Sequence, residues 1–289
     1  MSSITKKKVR VSDVFMYSLI YLCAGISVLL IAGIIVYVFA KGFSQINWEF
    51  LTTTTSVLKG TVGIAGNILN TLYIIVLTML LATPIGVGAA IYLNEYAKPG
   101  RLVRIIELAT ETLSGIPSII FGMFGMMFFG TTLGLKYSIL TGTLTLTLMV
   151  LPLITRNTQE ALKTVSDSYR HGAVGLGAGK WYTIRTILLP SAMPGIITGA
   201  ILAVGRIVGE SAALLYTAGS SDLLPATAEA YLDKIFQPGG TLTIQLYLSA
   251  QDGEFDVAFG IALVLLVIVL AINMATKFLA RKFDVNRLK

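Results

Sequence analysis

Arg206 and Glu210 are the only charged side chains between Arg185 and Asp222. Four residues apart, they fall on one face of a helix. A charge at the centre of a bilayer costs about 2.5–3.5 kcal/mol on the insertion scale. Such a pair therefore faces a bundle interior or a water-filled path. Two chemistries fit. One is an internal ion pair that pins two helices. The other is a path for an anion, with Arg206 as its attractive group. A planar guanidinium suits a tetrahedral oxyanion because its fork donates two parallel hydrogen bonds. Glu107 and Glu111 form a second i, i+4 pair. The membrane interface and Arg104 account for Glu107, while Glu111 lies deeper and is a further candidate. Arg206, Glu210 and Glu111 are thus the expected pathway residues.

A second constellation is polar backbone and base rather than acid. Residues 170–190 read Arg-His-Gly-Ala-Val-Gly-Leu-Gly-Ala-Gly-Lys-Trp-Tyr-Thr-Ile-Arg-Thr-Ile-Leu-Leu-Pro. The glycines suggest a phosphate cradle, but a P-loop needs Gly five positions before its Gly-Lys pair and Ser or Thr after it. Val174 and Trp181 stand there. A dinucleotide fingerprint needs a βαβ unit, and no such pattern precedes the segment. Nucleotide chemistry therefore belongs elsewhere, and no catalytic residue is expected. His171 is the only histidine and Cys23 the only cysteine, which excludes an intrachain disulfide and leaves no expected metal ligands.

The elements that position these groups are apolar. The chain is 55% hydrophobic and 13% charged, against about 25% charged in soluble domains, and its mean hydropathy is +0.79. Uncharged runs cover 14–40, 60–94, 112–135, 137–155, 186–205 and 257–276. A membrane-crossing helix needs about 20 apolar residues, so six spans are expected. Thr141-Gly-Thr-Leu-Thr-Leu-Thr-Leu148 alternates like a strand, but its continuously apolar companions are too long for a barrel. It is read as a helix. The first run is too long for the apolar core of a cleaved signal and is read as a retained span.

The charge of +7 follows topology rather than nucleic acid. With the amino terminus in the cytoplasm, Lys41, Lys59, Lys136 and Lys234 lie outside, Arg206 lies in a span, and every other basic residue lies inside. This is the positive-inside pattern with both termini cytoplasmic. The expected organisation is a basic tail at 1–13, a first span at 14–40, and an external linker at 41–65 with Trp48 and Phe50 at the interface. A compact five-span unit follows at 66–280 with a cytoplasmic loop at 156–190, then a basic tail at 281–289. Gly86 and Gly88 are read as helix-packing sites. Pro117 beside Gly115 leaves open a break in the third run. The acidic segment 217–254 is the longest external loop, part of which is read as dipping back into the membrane.

The loop at 170–190 resembles the cytoplasmic coupling motif of permease subunits of bacterial ABC importers: Glu-Ala-Ala, three residues, Gly, nine residues, Ile-x-Leu-Pro. Gly177, the nine-residue gap and Ile187-Leu188-Leu189-Pro190 match in register, as do Ala173 and the pair Lys180-Trp181. His171 and Gly172 replace the motif's Glu and first Ala. Gly205-Arg-Ile-Val-Gly-Glu-Ser-Ala-Ala-Leu-Leu-Tyr-Thr-Ala-Gly219 resembles the fifth-span segment of phosphate-specific ABC permeases, with Ser211 and Ala213 in place of Thr and Pro. Ser114-Gly-Ile-Pro-Ser-Ile-Ile-Phe-Gly122 and Pro84-Ile-Gly-Val-Gly-Ala-Ala-Ile-Tyr-Leu-Asn-Glu-Tyr96 agree. Over about residues 60–285 the chain is identified as a member of the PstA group of these permeases.

The resemblance implies an all-α integral membrane protein, with a MetI-like ABC type I core of five helices and one added N-terminal helix. It implies phosphate import across the cytoplasmic membrane by alternating access. Implied partners are a PstC-type permease, two PstB-type ATPases that hold the ATP and Mg, an extracellular PstS-type binding protein, and lipid, with no nucleic acid. Arg170, His171, Gly172, Ala173, Gly177, Ala178, Lys180, Trp181, Ile187, Leu189 and Pro190 would couple to the ATPase. A PstC-type subunit, a permease for sulfate or molybdate, a secondary transporter or channel, and a non-transporting membrane sensor are the alternatives.

Overall fold

The computed structural model describes residues 11–56, 60–98 and 100–283. Lys6, Lys7, Lys8, Arg10, Lys59, Arg287 and Lys289, counted above for topology, lie outside the described residues. Apolar runs in lipid must satisfy their backbone internally, and helices do so. Among the described residues five helices are long and apolar enough to span: 12–45, 65–96, 139–163, 180–208 and 255–278. The expected six spans are reached if the bent pair 101–115 and 118–132 counts as one. The third run is a bent pair, turning by 103°.

In chain order the helices begin with α1 (Val11–Gly42) and α2 (Trp48–Thr52). A short antiparallel hairpin follows, β1 (Thr54–Ser56) and β2 (Thr61–Ile64). Next come α3 (Ala65–Ile91), α4 (Arg101–Gly115), α5 (Ser118–Gly125) and α6 (Ile139–Lys163). The polar loop holds α7 (Asp167–Gly175) and α8 (Lys180–Thr183), and α9 (Leu189–Val208) returns through the bundle. α10 (Ala212–Thr217), α11 (Ala228–Asp233), α12 (Leu242–Gln251) and α13 (Phe255–Phe283) complete the chain. π-helical turns at Tyr92–Tyr96, Met126–Thr132 and Ile184–Leu188 extend α3, extend α5 and join α8 to α9.

α6 is the central helix, packed on α3 and α9. Its alternating threonines are helical, as expected. Thr141, Thr143, Thr145 and Thr147 are buried, and the hydroxyls of Thr145 and Thr147 donate to the carbonyls four residues back at 2.8 Å. Back-bonding of this kind keeps a hydroxyl satisfied without a partner helix. Gly86 lets α3 approach α6, since a Cβ there would stand 2.8 Å from Ile154 Cγ2. Gly88 is different: no atom lies within 4 Å of its Cβ position, so it is not a packing site among the described residues. α1 leans on α13 near one end, where Tyr37 meets Phe259 edge-on at 5.5 Å, and exposes its apolar length as a lipid-facing helix does.

The bend falls at Ile116 and Pro117. Proline offers no N–H and drives the residue before it out of the helical region, and Ile116 is extended at ψ 131°. α4 thus begins at Arg101 and is amphipathic. Arg104, Glu107 and Glu111 share one stripe, while Leu102, Ile105 and Leu108 are exposed on another. Beyond the bend, α5 packs on α10 so closely that a Cβ on Gly122 would lie 2.8 Å from Ala213 Cα. Gly122→Ala is expected to cost about 1–3 kcal/mol by overpacking, read as a lower midpoint in thermal unfolding of the detergent-solubilised protein.

The linker end is also more folded than expected. Asn47 caps α2 by accepting from Phe50 N at 2.7 Å. Phe50 is buried beside Gly260, so only Trp48 is left at the surface. Asn67 and Asn70 donate to the carbonyls of Gly240 and Ser221 at 3.0–3.1 Å and anchor the acidic segment to α3. Lys234 is buried, donating to the carbonyls of Leu223 (2.8 Å) and Pro238 (3.3 Å). Burial pushes its pKa below the usual lysine value. α12 packs against α13 and buries Leu242, Ile244 and Ser249.

Candidate functional site

Arg206 sits in the last turn of α9 and faces a cavity of about 510 Å³. α6 contributes Arg156, Asn157 and Glu160 to the same cavity, and Ser114 stands at the end of α4. Among the described residues the Arg206 side chain makes no hydrogen bond or ion pair, although it is open to solvent. The five donors of its guanidinium are available to a visitor.

Glu210 is not its partner, and the shared helix face is corrected. α9 ends at Val208 with Gly209 as its cap. Glu210 turns into the protein, is 7% exposed, and accepts from Ala213 N at 3.0 Å. It caps the start of α10, where an acidic group is favoured by the helix dipole. Its own carbonyl accepts from Thr243 at 3.2 Å. Glu210 therefore shapes the turn that follows Arg206 and does not neutralise it.

Glu111 does meet an arginine, but a different one. It forms an ion pair with Arg156 across the gap between α4 and α6. Both side chains are more than half exposed, so the pair is worth at most about 1 kcal/mol. Arg156 also lines a second cavity of about 240 Å³ with Glu107, Glu111, Glu160 and Lys163. Arg156 and Glu160 line both spaces. In the sequence Arg156 opens the cytoplasmic loop, yet α6 stays helical to Lys163. The local signal was Glu160, four residues on and thus on the same face.

The polar loop folds around one glycine. α7 is capped by Ser166, which accepts from Ser168 N at 3.3 Å. It ends in a Schellman pattern: Ala178 N donates to Ala173 O, and Gly177 N to Val174 O, both at 2.9 Å. That geometry needs a left-handed residue after the cap, and Gly177 has φ +78°. Ala173 is buried under the turn and Ala178 half-buried. His171, Gly172, Lys180 and Trp181 stay exposed. Leu176 projects at the glycine turn, 90% exposed, and Tyr169, Val174, Trp181 and Tyr182 of the same loop are exposed as well.

Ile187, Leu189 and Pro190 are half-buried where the loop re-enters the bundle. The fully buried members there are Ile184 and Leu188, which join Ala161, Leu162, Val165, Ala192 and Ile196 in a small separate core. The sequence motif named the neighbours of these residues and not the residues themselves. Arg170 departs most from expectation. Its guanidinium turns inward to Glu95 at 2.8 Å, with Asp167 at 2.9 Å. The Glu95 hydrogen bond, outweighing desolvation, raises its pKa further above the usual arginine value. Arg170 holds the loop in place, and the exposed surface lies on other residues.

Residues 82–286 match the family described as "Binding-protein-dependent transport system inner membrane component". The chain is 36% identical over 281 residues to the Bacillus subtilis "Probable ABC transporter permease protein YqgI", covering 93% of this chain and 95% of that one. It is 31% identical over 243 residues to the Xylella fastidiosa "Phosphate transport system permease protein PstA", covering 83% and 82%. Among solved structures it is similar in fold to a chain of a bacterial alginate ABC transporter in complex with an alginate pentasaccharide-bound periplasmic protein. The TM-score is 0.67 at 15% identity, over 95% of this chain and 96% of that one.

Proposed function

The chain belongs to the family of binding-protein-dependent transport system inner membrane components, and on that premise we propose that it is the PstA-type subunit of a phosphate importer. As an ABC importer permease it is a multi-pass membrane protein that works with separate ATPase and substrate-binding subunits. The finer reading adds inorganic phosphate as cargo, a PstC-type permease as heterodimer partner, two PstB-type ATPases and a PstS-type binding protein. It places the chain in the cytoplasmic membrane with both termini inside.

The observation that carries the reading is an arginine without a partner beside an arginine with a weak one. Arg206 has a free fork on the larger cavity, and Arg156 is held only by the exposed Glu111 pair. Phosphate arriving at Arg206 would gain charge-assisted hydrogen bonds. It would then compete with Glu111 for Arg156. Neither contact is deep, which suits transport, because the ion must leave as well as bind. The exposed apolar side chains of this loop, Leu176 foremost, would seat the ATPase, and closure of the ATPase dimer on ATP would be passed through the loop to open the pathway outward.

Radiolabelled phosphate uptake at low external phosphate tests this in a deletion strain without a second phosphate importer. The expected result is loss of uptake and recovery on complementation with the wild-type gene. Normal uptake in the deletion strain would remove phosphate as the cargo.

A further inference from the structure

Arg170 joins separate pieces of chain through one guanidinium. It donates to Glu95 at the π-helical end of α3 (2.8 Å), to Asp167 on α7 (2.9 Å), and to the carbonyls of Val165 (3.0 Å) and Leu162 (3.2 Å) at the end of α6. The two carboxylates are not equivalent. Asp167 is three residues away on the same helix and 78% exposed. The Glu95 side chain is 9% exposed and 75 residues away in sequence, and it also accepts from Asn94 at 2.7 Å. From beyond the glycine turn, Lys180 Nζ lies over the Tyr96 ring at 4.7 Å, a cation–π distance. Both sides of the loop are therefore tied to the single π turn Tyr92–Tyr96.

The ties matter because the loop leaves α6 at a helix end and returns through a run of glycines. α6 stops at Lys163, and Gly175, Gly177 and Gly179 punctuate the far side. A push on α7 alone would be absorbed there. We propose that Glu95 is a positioning residue for coupling: through Arg170 it makes the docking loop move as one body with α3 and α6. α6 carries Arg156 and Glu160 at the cavities, so a displacement of the loop reaches the groups that line the path. The inference rests on the reading of this loop as the ATPase-docking segment.

Hydrogen–deuterium exchange on the assembled transporter, with and without ATP and with no phosphate present, tests the inference. In the wild type, ATP changes amide protection over 167–177 and over 92–96 together. In Glu95→Gln the change stays within 167–177. Asp167→Asn, which removes only the exposed arm within α7, behaves as wild type. In reconstituted vesicles, uptake per ATP hydrolysed falls about tenfold in Glu95→Gln, within the usual range of coupling free energies. If Glu95→Gln fails to assemble, Arg170→Lys takes its place. It keeps the charge, loses the fork, and is expected to lose the response at 92–96 likewise. The inference is overturned if 92–96 responds equally in Glu95→Gln, if it does not respond in the wild type, or if Asp167→Asn loses the response too. An uptake-per-ATP ratio within twofold of wild type overturns it as well. The exchange measurement needs no phosphate, so a wild-type transporter that moves no phosphate contradicts the substrate reading and leaves the exchange result to decide this one.

Discussion

Arg206→Ala is expected to lower phosphate uptake about 100-fold while leaving the unfolding midpoint unchanged. The magnitude follows from hydrogen bonds to charged groups, each worth about 1.5–3 kcal/mol, lost where the anion is held. The separation from stability follows from the structure. Arg206 is exposed to its cavity and makes no hydrogen bond or ion pair among the described residues, so its removal leaves no buried group unsatisfied. Arg206→Lys keeps the charge and loses the planar fork, and an intermediate loss of about tenfold is expected. Initial uptake rates, with thermal unfolding of the same purified variants, check both parts. A variant that transports normally would make Arg206 a dispensable charge. One that unfolds at lower temperature would make it structural.

Leu176→Asp is expected to weaken association with the ATPase about 30-fold or more. Leu176 is the most exposed large apolar side chain of the loop, and anchors of this kind are worth about 2 kcal/mol or more in interfaces. Gly177→Val should act on the same interface by another route. A β-branched residue is strained at φ +78°, a region that L side chains enter at a cost of about 1–2 kcal/mol. The two Schellman bonds would then be lost and Leu176 would move. Both variants should fold, since nothing lies within 4 Å of the Gly177 Cβ position. Retention of the ATPase on the affinity-purified permease measures the effect. Full retention in both would place the docking surface elsewhere.

Features coded by local pattern were legible in the sequence. Long uncharged runs became helices because lipid offers the backbone no other partner, and the threonine alternation of α6 followed from the same constraint. Gly177 was legible because its role is conformational and confined to one turn. The bend at Pro117 was half legible: the Gly-Ile-Pro signal was present, but α4 begins at Arg101, earlier than hydropathy alone indicates. Glu210 lies off the face that its spacing predicts. Spacing put it on the face of Arg206, while Gly209 between them was the signal that the helix ends. The long-range partners of Arg170 and Arg156 had no local signal. Glu95 and Glu111 lie 75 and 45 residues from them, and only the packing of α3, α4, α6 and α7 brings these charges together.

The most direct measurement is anion selectivity of the reconstituted transporter with its binding protein: phosphate uptake against a tenfold excess of sulfate or molybdate, for wild type and Arg206→Ala. The account predicts rapid wild-type uptake that neither competitor reduces, and uptake near background for Arg206→Ala. Wild-type uptake abolished by sulfate or molybdate, or equal uptake by both proteins, would contradict it.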